Sequence, residues 1–390
     1  MISTFGEVFE VDPKIKIAKN SDVPFIEMAD IEPWARTVGS KRTKKFAGGS
    51  KFLDGDVLVA RITPSLENGK TSIYRASKSA KSAPAGGSTE FIVVRGIAGR
   101  SLSEFAYYLL RTADLRSHLI ANMNGSSGRQ RVQADALRNY VVDLPSIDEQ
   151  RRIAEVLGAL DDKIESNQNL AEIILSLIGA QIDCELSDGS GDLFPVSELA
   201  KFVNGGAYTK EASGTGRMVI RIADLNSGPS ASTIYNDIEV PGDRLAHFGD
   251  LLMSWSGSLG IYVWVRDEAI VNQHIFKVIC TNFPAWLVHN RLNAVLHRFR
   301  SIAADKATTM GHIQRKHLDE TFVEVPVTKL GQLSHLCAPL WNRFISAQLE
   351  SMQLAALRDA LLPELMSGRM RVDEAGCLVS EALDEEVRSV

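Results

Sequence analysis

Apolar residues recur along two stretches of this chain with steps that alternate between four and three. The first stretch runs Ile153, Leu157, Leu160, Ile164, Ala171, Ile174, Ile178 and Ile182, with Asn167 and Gln181 as polar breaks in the seam. Such heptad spacing lines one face of an α-helix. Ser146 suits an N-cap, and Asp148 and Glu149 fall in the first turn, where carboxylates complement the helix dipole. A breaker run at residues 187–191 ends the pattern. Asp148 to Leu186 therefore predicts a rod of about 58 Å at 1.5 Å per residue. The second stretch starts near Gln332 and carries Leu333, Cys337, Leu340, Phe344, Ala347, Leu354 and Leu361, with Ser351 and Arg358 as polar breaks. Pro339 starts or kinks this helix, because proline removes one helical hydrogen bond; Pro363 marks another bend.

The segments before each rod follow a different rule. Residues 1–145 and 191–328 are rich in Gly, Ser and Thr. They hold short β-prone runs at 56–60, 90–94, 217–221 and 261–265, and one helical stretch each, near 102–121 and 284–304. That is α+β composition. The order globule, rod, globule, rod is itself repeated. Arg131-Val132, Leu137, Val142 and Pro145 align with His312-Ile313, Leu318, Val323 and Pro326, and Gly55-Asp56-Val57-Leu58 echoes Gly249-Asp250-Leu251-Leu252. The spacing is far beyond that of a solenoid, so two whole domains are duplicated. The expected divisions are 1–145, 146–190, 191–328 and 329–372, followed by a frayed acidic tail at 373–390.

Composition adds constraint. With 45% hydrophobic and 23% charged residues, the chain of 390 has the usage of a globular protein, long enough for two or three domains. No apolar run approaches the roughly 18 residues of a membrane helix, and no secretory signal opens the chain, so a cytoplasmic protein is expected. The four cysteines lie far apart and form no CxxC, against a disulfide scaffold or a cysteine zinc site. The net charge of −5 hides an asymmetry: residues 1–145 carry +6 and residues 146–190 carry −7. This fits a polyanion-binding domain beside a segment that avoids the polyanion, although a solvated face has the same signature.

Catalytic signatures are missing. Asn68-Gly69-Lys70-Thr71-Ser72 ends like a phosphate loop, but Pro64 stands where the motif needs glycine. There is no GxGxxG, no Pro-Pro pair, no Glu-x-Lys triplet and no GxSxG. The histidines show neither HxxxH nor HExxH spacing. No catalytic residue and no metal site are expected.

One family shares these features. Leu144-Pro145-Ser146-Ile147-Asp148-Glu149-Gln150-Arg151-Arg152-Ile153-Ala154-Glu155-Val156-Leu157, then Leu160-Asp161-Asp162-Lys163-Ile164, resembles the segment after the first target-recognition domain of Type I restriction–modification specificity subunits. Leu357-Arg358-Asp359-Ala360-Leu361-Leu362-Pro363-Glu364-Leu365-Met366-Ser367-Gly368 resembles that family's C-terminal helix end. Asn272-Gln273-His274-Ile275-Phe276 and Thr309-Met310-Gly311-His312-Ile313 resemble its recognition motifs. The resemblance reaches about residue 372. One departure is that Val327-Thr328-Lys329-Leu330-Gly331-Gln332 lacks the Glu-Gln pair of the first copy.

The resemblance implies two α+β target-recognition domains, at 1–145 and 191–328, separated by two long antiparallel helices in a pseudo-two-fold repeat. It implies a non-catalytic DNA reader of a split, gapped site in double-stranded DNA. Two methyltransferase subunits dock on such a reader and restriction/translocase subunits join them; S-adenosylmethionine, ATP and magnesium belong to those partners, and this chain needs no cofactor. The helix carboxylates Asp161, Asp162 and Glu165 are then expected to face away from DNA or towards protein partners. Asn167 either sets register in the seam or lies off it in solvent.

Candidate DNA contacts follow from side-chain chemistry. Lys41, Arg42, Lys44 and Lys45 form a basic cluster before Gly48-Gly49. Ser126, Ser127, Arg129, Gln130 and Arg131 occupy a glycine-rich turn, where Gln and Arg suit adenine and guanine edges. Thr309, His312, Gln314, Arg315 and Lys316 form its counterpart. Arg61, Asn68 and Lys70 follow a strand, and Ser256, beside Trp255, and Asn272, Gln273 and His274 complete the set. Two rival classes remain open at this stage: a coiled-coil scaffold that binds proteins, and a DNA-modifying enzyme without standard motifs.

Overall fold

The computed structural model describes residues 2–77, 83–126, 128–187, 189–210, 212–230, 232–305 and 311–384. Ser127 and Thr309, two of the candidate contacts, lie outside the described residues. The chain is α+β and divides into two compact units, one of residues 1–163 with 354–390 and one of residues 164–353.

Both units are built on one topology. In the first, the strands Phe9–Val11, Phe91–Gly96, Val57–Ala60, Thr71–Tyr74 and Thr37–Val38 form a five-stranded sheet in that order. In the second, Lys201–Asn204, Ile275–Ile279, Leu251–Ser254 and Gly260–Val263 form a four-stranded sheet. The registers match: Phe91 faces Ala60 as Ile275 faces Ser254. Each unit has a second sheet around one parallel pair, Asp22–Ile26 with Ala85–Gly87 and Arg217–Ile220 with Ala269–Val271. Each also closes its first strand on its last, Ile2–Thr4 on Val141–Asp143 and Asp192–Pro195 on Phe322–Val325. The Gly-Asp echo is a shared turn. The Asp56 carboxylate accepts the Leu53 amide at 2.7 Å and the Asp250 carboxylate accepts the His247 amide at 2.7 Å. The half-buried cations Arg95 and buried Lys277 neutralise these carboxylates. The helical stretches differ: the first unit has two short helices, Ser103–Arg111 and Ala113–Ala121, where the second has one, Ala285–Asp305.

The long helices run Ile147–Leu186 and Leu330–Met366, the second continuing through Pro339 and Pro363. They are antiparallel: position 161 pairs with 358, and 167 with 350. Each long helix runs through both units: residues 147–163 and 354–366 belong to the first, and 164–186 and 330–353 to the second. The seam residues explain this. Ile153, Leu157 and Leu160 of the first helix and Leu354 and Leu361 of the second are buried within the first unit. Ile174 and Ile178 join Phe344, Trp341, Trp286 and the sheet residues Met253 and Phe276 in the core of the second unit, with Leu340 packed against that core. Ile164 is half-buried. Each rod thus spends its apolar stripe on a globule as well as on the other rod.

Polar seam positions are satisfied inside the units. Asn167 is 2% exposed and donates to Glu350 Oε2 at 2.9 Å, so it lies in the seam and not off it. Gln150 is fully buried: its Oε1 accepts the Leu102 amide at 3.1 Å and its Nε2 donates to the Arg100 and Pro145 carbonyls at 3.0 Å. That anchor ties the first helix to its globule. Gly331 stands at the matching position of the repeat, so the second copy lacks the anchor.

The tail expectation is corrected where the structure describes it: Val372–Asp384 is a helix with Val372, Ala375 and Val379 buried. Asp373 pairs with Arg152 of the first long helix. Small apolar residues on one helical face supply the contact, and the acidic composition masked that spacing. No helix among the described residues is long and apolar enough to cross a membrane.

Candidate nucleic-acid interface

In the first unit the glycine-rich turn is the tip of a hairpin, Met123–Asn124 paired with Arg131–Val132. Gly125 and Gly128 take positive φ, which frees the tip to fold back so that the Arg129 amide meets the Ser126 carbonyl at 3.0 Å. Two backbone bonds dock this hairpin on the neighbouring loop, and a third ties that loop to Glu90. The Val132 amide donates to the Arg61 carbonyl at 2.9 Å, the Thr63 amide to Gln130 at 3.0 Å, and the Arg61 amide to Glu90 at 2.9 Å. The structure therefore brings together Arg61, Gln130 and Arg131, which are distant in sequence.

Side chains then divide by role. Arg129 and Ser126 are exposed at the tip. Arg61 is spent on the frame, donating to the Val132 carbonyl at 3.0 Å and to Gln133 Oε1 at 2.8 Å. Arg131 grips the Glu90 carboxylate, with its Nη2 2.8 Å from Oε1, and these hydrogen bonds raise its pKa further above the arginine range. Lys70 donates to the Met28 carbonyl at 3.0 Å, and Asn68 is exposed beside it. Gly69 permits this loop because a Cβ there would stand 2.6 Å from the Trp34 ring.

The basic cluster is partly neutralised. Arg42 pairs with Glu27 at 2.9 Å and Asp30 at 2.8 Å, and Lys44 pairs with Glu27 while lying 5.1 Å from the centre of the Phe25 ring. Lys41 and Lys45 are exposed, with no ion-pair partner among the described residues. Lys70 reaches Met28, next to Glu27, so the cluster adjoins the loop that carries the hairpin.

The second unit repeats the frame with other side chains. The Ile313 amide donates to the Trp255 carbonyl at 2.9 Å, the Gly257 amide to Gly311 at 3.0 Å, and the Trp255 amide to His274 at 3.2 Å. Each bond matches one in the first unit, so Trp255 stands for Arg61, His274 for Glu90 and His312 for Arg131. The three segments picked from the sequence are thereby brought together. Their chemistry is aromatic: the Trp255 ring lies 5.5 Å from His274, 6.0 Å from Phe276 and 6.3 Å from His312. Ser256 and Asn272 are buried, and the Asn272 carbonyl oxygen side chain accepts the Gln273 amide at 2.8 Å. Gln273, Gln314 and Lys316 are exposed. Arg315 donates to the Phe202 carbonyl at 2.7 Å, which spends part of its guanidinium on the sheet.

Asp161 and Asp162 are engaged within the chain. Asp161 is 4% exposed and faces neither solvent nor an outside partner; it accepts Arg358 Nη1 at 2.6 Å and the Tyr108 hydroxyl at 2.8 Å. Asp162 is exposed but pairs with Arg36. Glu90 escaped sequence reading altogether, since nothing nearby in the chain marks a partner for Arg131. The repeat held one signal: the matching position is His274, already picked.

Residues 1–175 match the family model of the Type I restriction modification DNA specificity domain. The chain is similar to the Type I restriction enzyme MjaIX specificity subunit of Methanocaldococcus jannaschii, 26% identical over 310 residues that cover 70% of each chain. It is also similar to the EcoEI specificity subunit of Escherichia coli, 27% identical over 191 residues, which cover 45% of this chain and 32% of that one. Among solved structures, the Type-I restriction-modification S subunit from M. genitalium aligns over 94% of this chain and 95% of its own, at 14% identity and a TM-score of 0.48.

Proposed function

We propose how this chain, which belongs to the Type I restriction–modification specificity-subunit family and is a DNA sequence-recognition subunit, divides its work. Each unit reads one half of a bipartite site. The observation that carries this is the repeated frame: two identical sets of backbone bonds present Arg61, Glu90 and Arg131 in one unit and Trp255, His274 and His312 in the other. Like scaffolds with unlike side chains read unlike half-sites, because base edges differ in their donor and acceptor patterns. Exposed lysines such as Lys41, Lys45 and Lys316 supply phosphate contacts, which position without specifying.

The long helices are the elements that would set the gap between the half-sites. At 40 and 37 residues they extend about 60 and 55 Å, against roughly 34–36 Å for one DNA turn. The chain is a platform for catalysis by others. Two methyltransferase subunits dock on it and restriction/translocase subunits join them, with S-adenosylmethionine, ATP and magnesium held by those partners. A partner surface offered twice supports the pair: Ile2 and Val141 are exposed on the first terminal ribbon, and Leu193 and Phe322 at the matching positions of the second. The assembly works in the cytoplasm, where its DNA is.

Co-expression with the cognate methyltransferase subunit, followed by single-molecule mapping of methylated adenine, tests the reading. A split motif with one constant gap is expected. An assembled, DNA-bound complex that methylates no such motif would contradict it and favour a scaffold. Within the same assay, Arg129→Ala is expected to cost about 1–3 kcal/mol of discrimination and to relax one position of one half-site. Lys45→Ala should instead weaken binding to all sequences alike and lower the salt slope by about one. Unchanged affinity and specificity in Arg129→Ala would remove the hairpin tip from the interface.

A further inference from the structure

We propose that Glu90 is a specificity-determining residue of the first unit: it withholds the Arg131 guanidinium from DNA phosphate and steadies the hairpin tip that reads bases. The proposal rests on the DNA-reading role argued above. Its starting point is a carboxylate in an unexpected place. Glu90 sits on the frame itself, where its carbonyl accepts the Arg61 amide at 2.9 Å and its carboxylate takes Arg131 Nε at 2.9 and 3.0 Å and Nη2 at 2.8 Å. Both side chains reach solvent, 22% exposed for Glu90 and 40% for Arg131. A carboxylate on a phosphate-binding surface repels its ligand. An uncharged residue at position 90 would bind DNA more tightly and less selectively, because a free guanidinium grips any phosphate.

The second half of the argument is geometric. Arg131 Nη1 donates to the Arg129 carbonyl at 3.2 Å. Glu90 therefore fixes Arg131, and Arg131 in turn fixes the backbone of Arg129, the exposed arginine at the tip. A two-point grip on a planar guanidinium sets its orientation, which a single contact does not. The carboxylate thus lowers indiscriminate affinity and holds the reader in place. The second unit has His274 at the matching frame position, so the effect is confined to one half-site.

The test uses the complex with its methyltransferase partner. The methylated motif of the unaltered chain comes first, and absence of any split motif there would count against the function and not against Glu90. With the motif in hand, Glu90→Gln is expected to make one half degenerate and leave the other intact. Binding to duplex without the motif should strengthen, with the slope of log affinity against log salt steeper by about 0.9. Glu90→Asp should restore most of the selectivity. Adding Arg131→Gln to Glu90→Gln should return the slope to that of the unaltered chain or below. An intact motif with an unchanged slope would overturn the proposal. So would equal loss in both halves accompanied by a fall in melting temperature, which is the mark of a purely structural residue.

Discussion

Arg358→Ala is expected to destabilise the first unit by about 3–5 kcal/mol, the cost of stranding a buried charge. The charge stranded is Asp161. Its carboxylate accepts Arg358 Nη1 at 2.6 Å and the Tyr108 hydroxyl at 2.8 Å, with Arg111 at 3.9 Å. Arg358 lies 6% exposed. Burial opposes its charge, but Asp161 and Asp359 more than offset that, and its pKa rises above the arginine range. The same carboxylate, after burial itself, drives the Tyr108 hydroxyl far above its ordinary value and keeps it a donor. Arg111 completes the cluster by donating to the Tyr107 hydroxyl at 2.7 Å. Replacing the whole pair tells a different story from breaking it. Asp161→Leu with Arg358→Met and Tyr108→Phe strands only Arg111, which keeps the Tyr107 hydroxyl at 2.7 Å and Asp359 at 3.8 Å, and should cost clearly less than Arg358→Ala alone. Denaturant unfolding of the full chain, with hydrogen exchange to localise the change, checks both. A loss below about 1 kcal/mol in Arg358→Ala would mean the cluster is wet and screened like a surface pair.

Acid is expected to weaken the second unit through His289. This imidazole is 8% exposed, 5.1 Å from the Trp341 ring and 6.2 Å from Phe344. Burial drives its pKa from 6.5 down to about 4. The folded unit therefore binds the proton less readily than the unfolded chain. Above pH 6.5 neither state is protonated and His289 costs nothing. Between 6.5 and 4 the unfolded chain takes up the proton first, so stability falls, and the loss is complete once the folded imidazole also protonates. A shift of this size corresponds to about 3 kcal/mol. His289→Phe removes the group while keeping ring contacts. The unfolding free energy of this variant should drop less between pH 7 and pH 4 than that of the unaltered chain, by about that amount. Identical pH profiles would show that the ring is hydrated in the folded state.

The two expectations share a cause. Both groups lie where a long helix enters a globule, and there charge or polarity is buried among apolar neighbours. Sequence reading marked Arg358 as a break in the seam and as part of the C-terminal resemblance, and found no histidine spacing that would single out His289. Neither position carries a local signal of its partner: Asp161 stands 197 residues from Arg358. Long-range pairing of this kind is invisible to periodicity, which reports a face and not what covers it.

Much else was legible beforehand. Heptad spacing predicted both rods, because one apolar stripe has to be buried whatever it meets. The duplication was legible too, and the registers repeat it down to Phe5 and Val196, whose amides donate to Tyr140 at 2.7 Å and Thr321 at 2.8 Å. The Gly-Asp echo encodes a turn held by its own carboxylate, so a four-residue match suffices to reveal it. The glycine-rich tip at Arg129 was legible because positive φ selects glycine. Tertiary structure decided the rest. It assigned the rods to the globules, turned the acidic tail into a docked helix, buried Asp161 and seated Asn167 against Glu350. It also placed Glu90 against Arg131 and gathered Trp255, His274 and His312 on the matching frame. Local pattern follows from bonds made within a few residues. Which charge is neutralised, and which is left exposed, depends on strands that meet only when the sheet is complete.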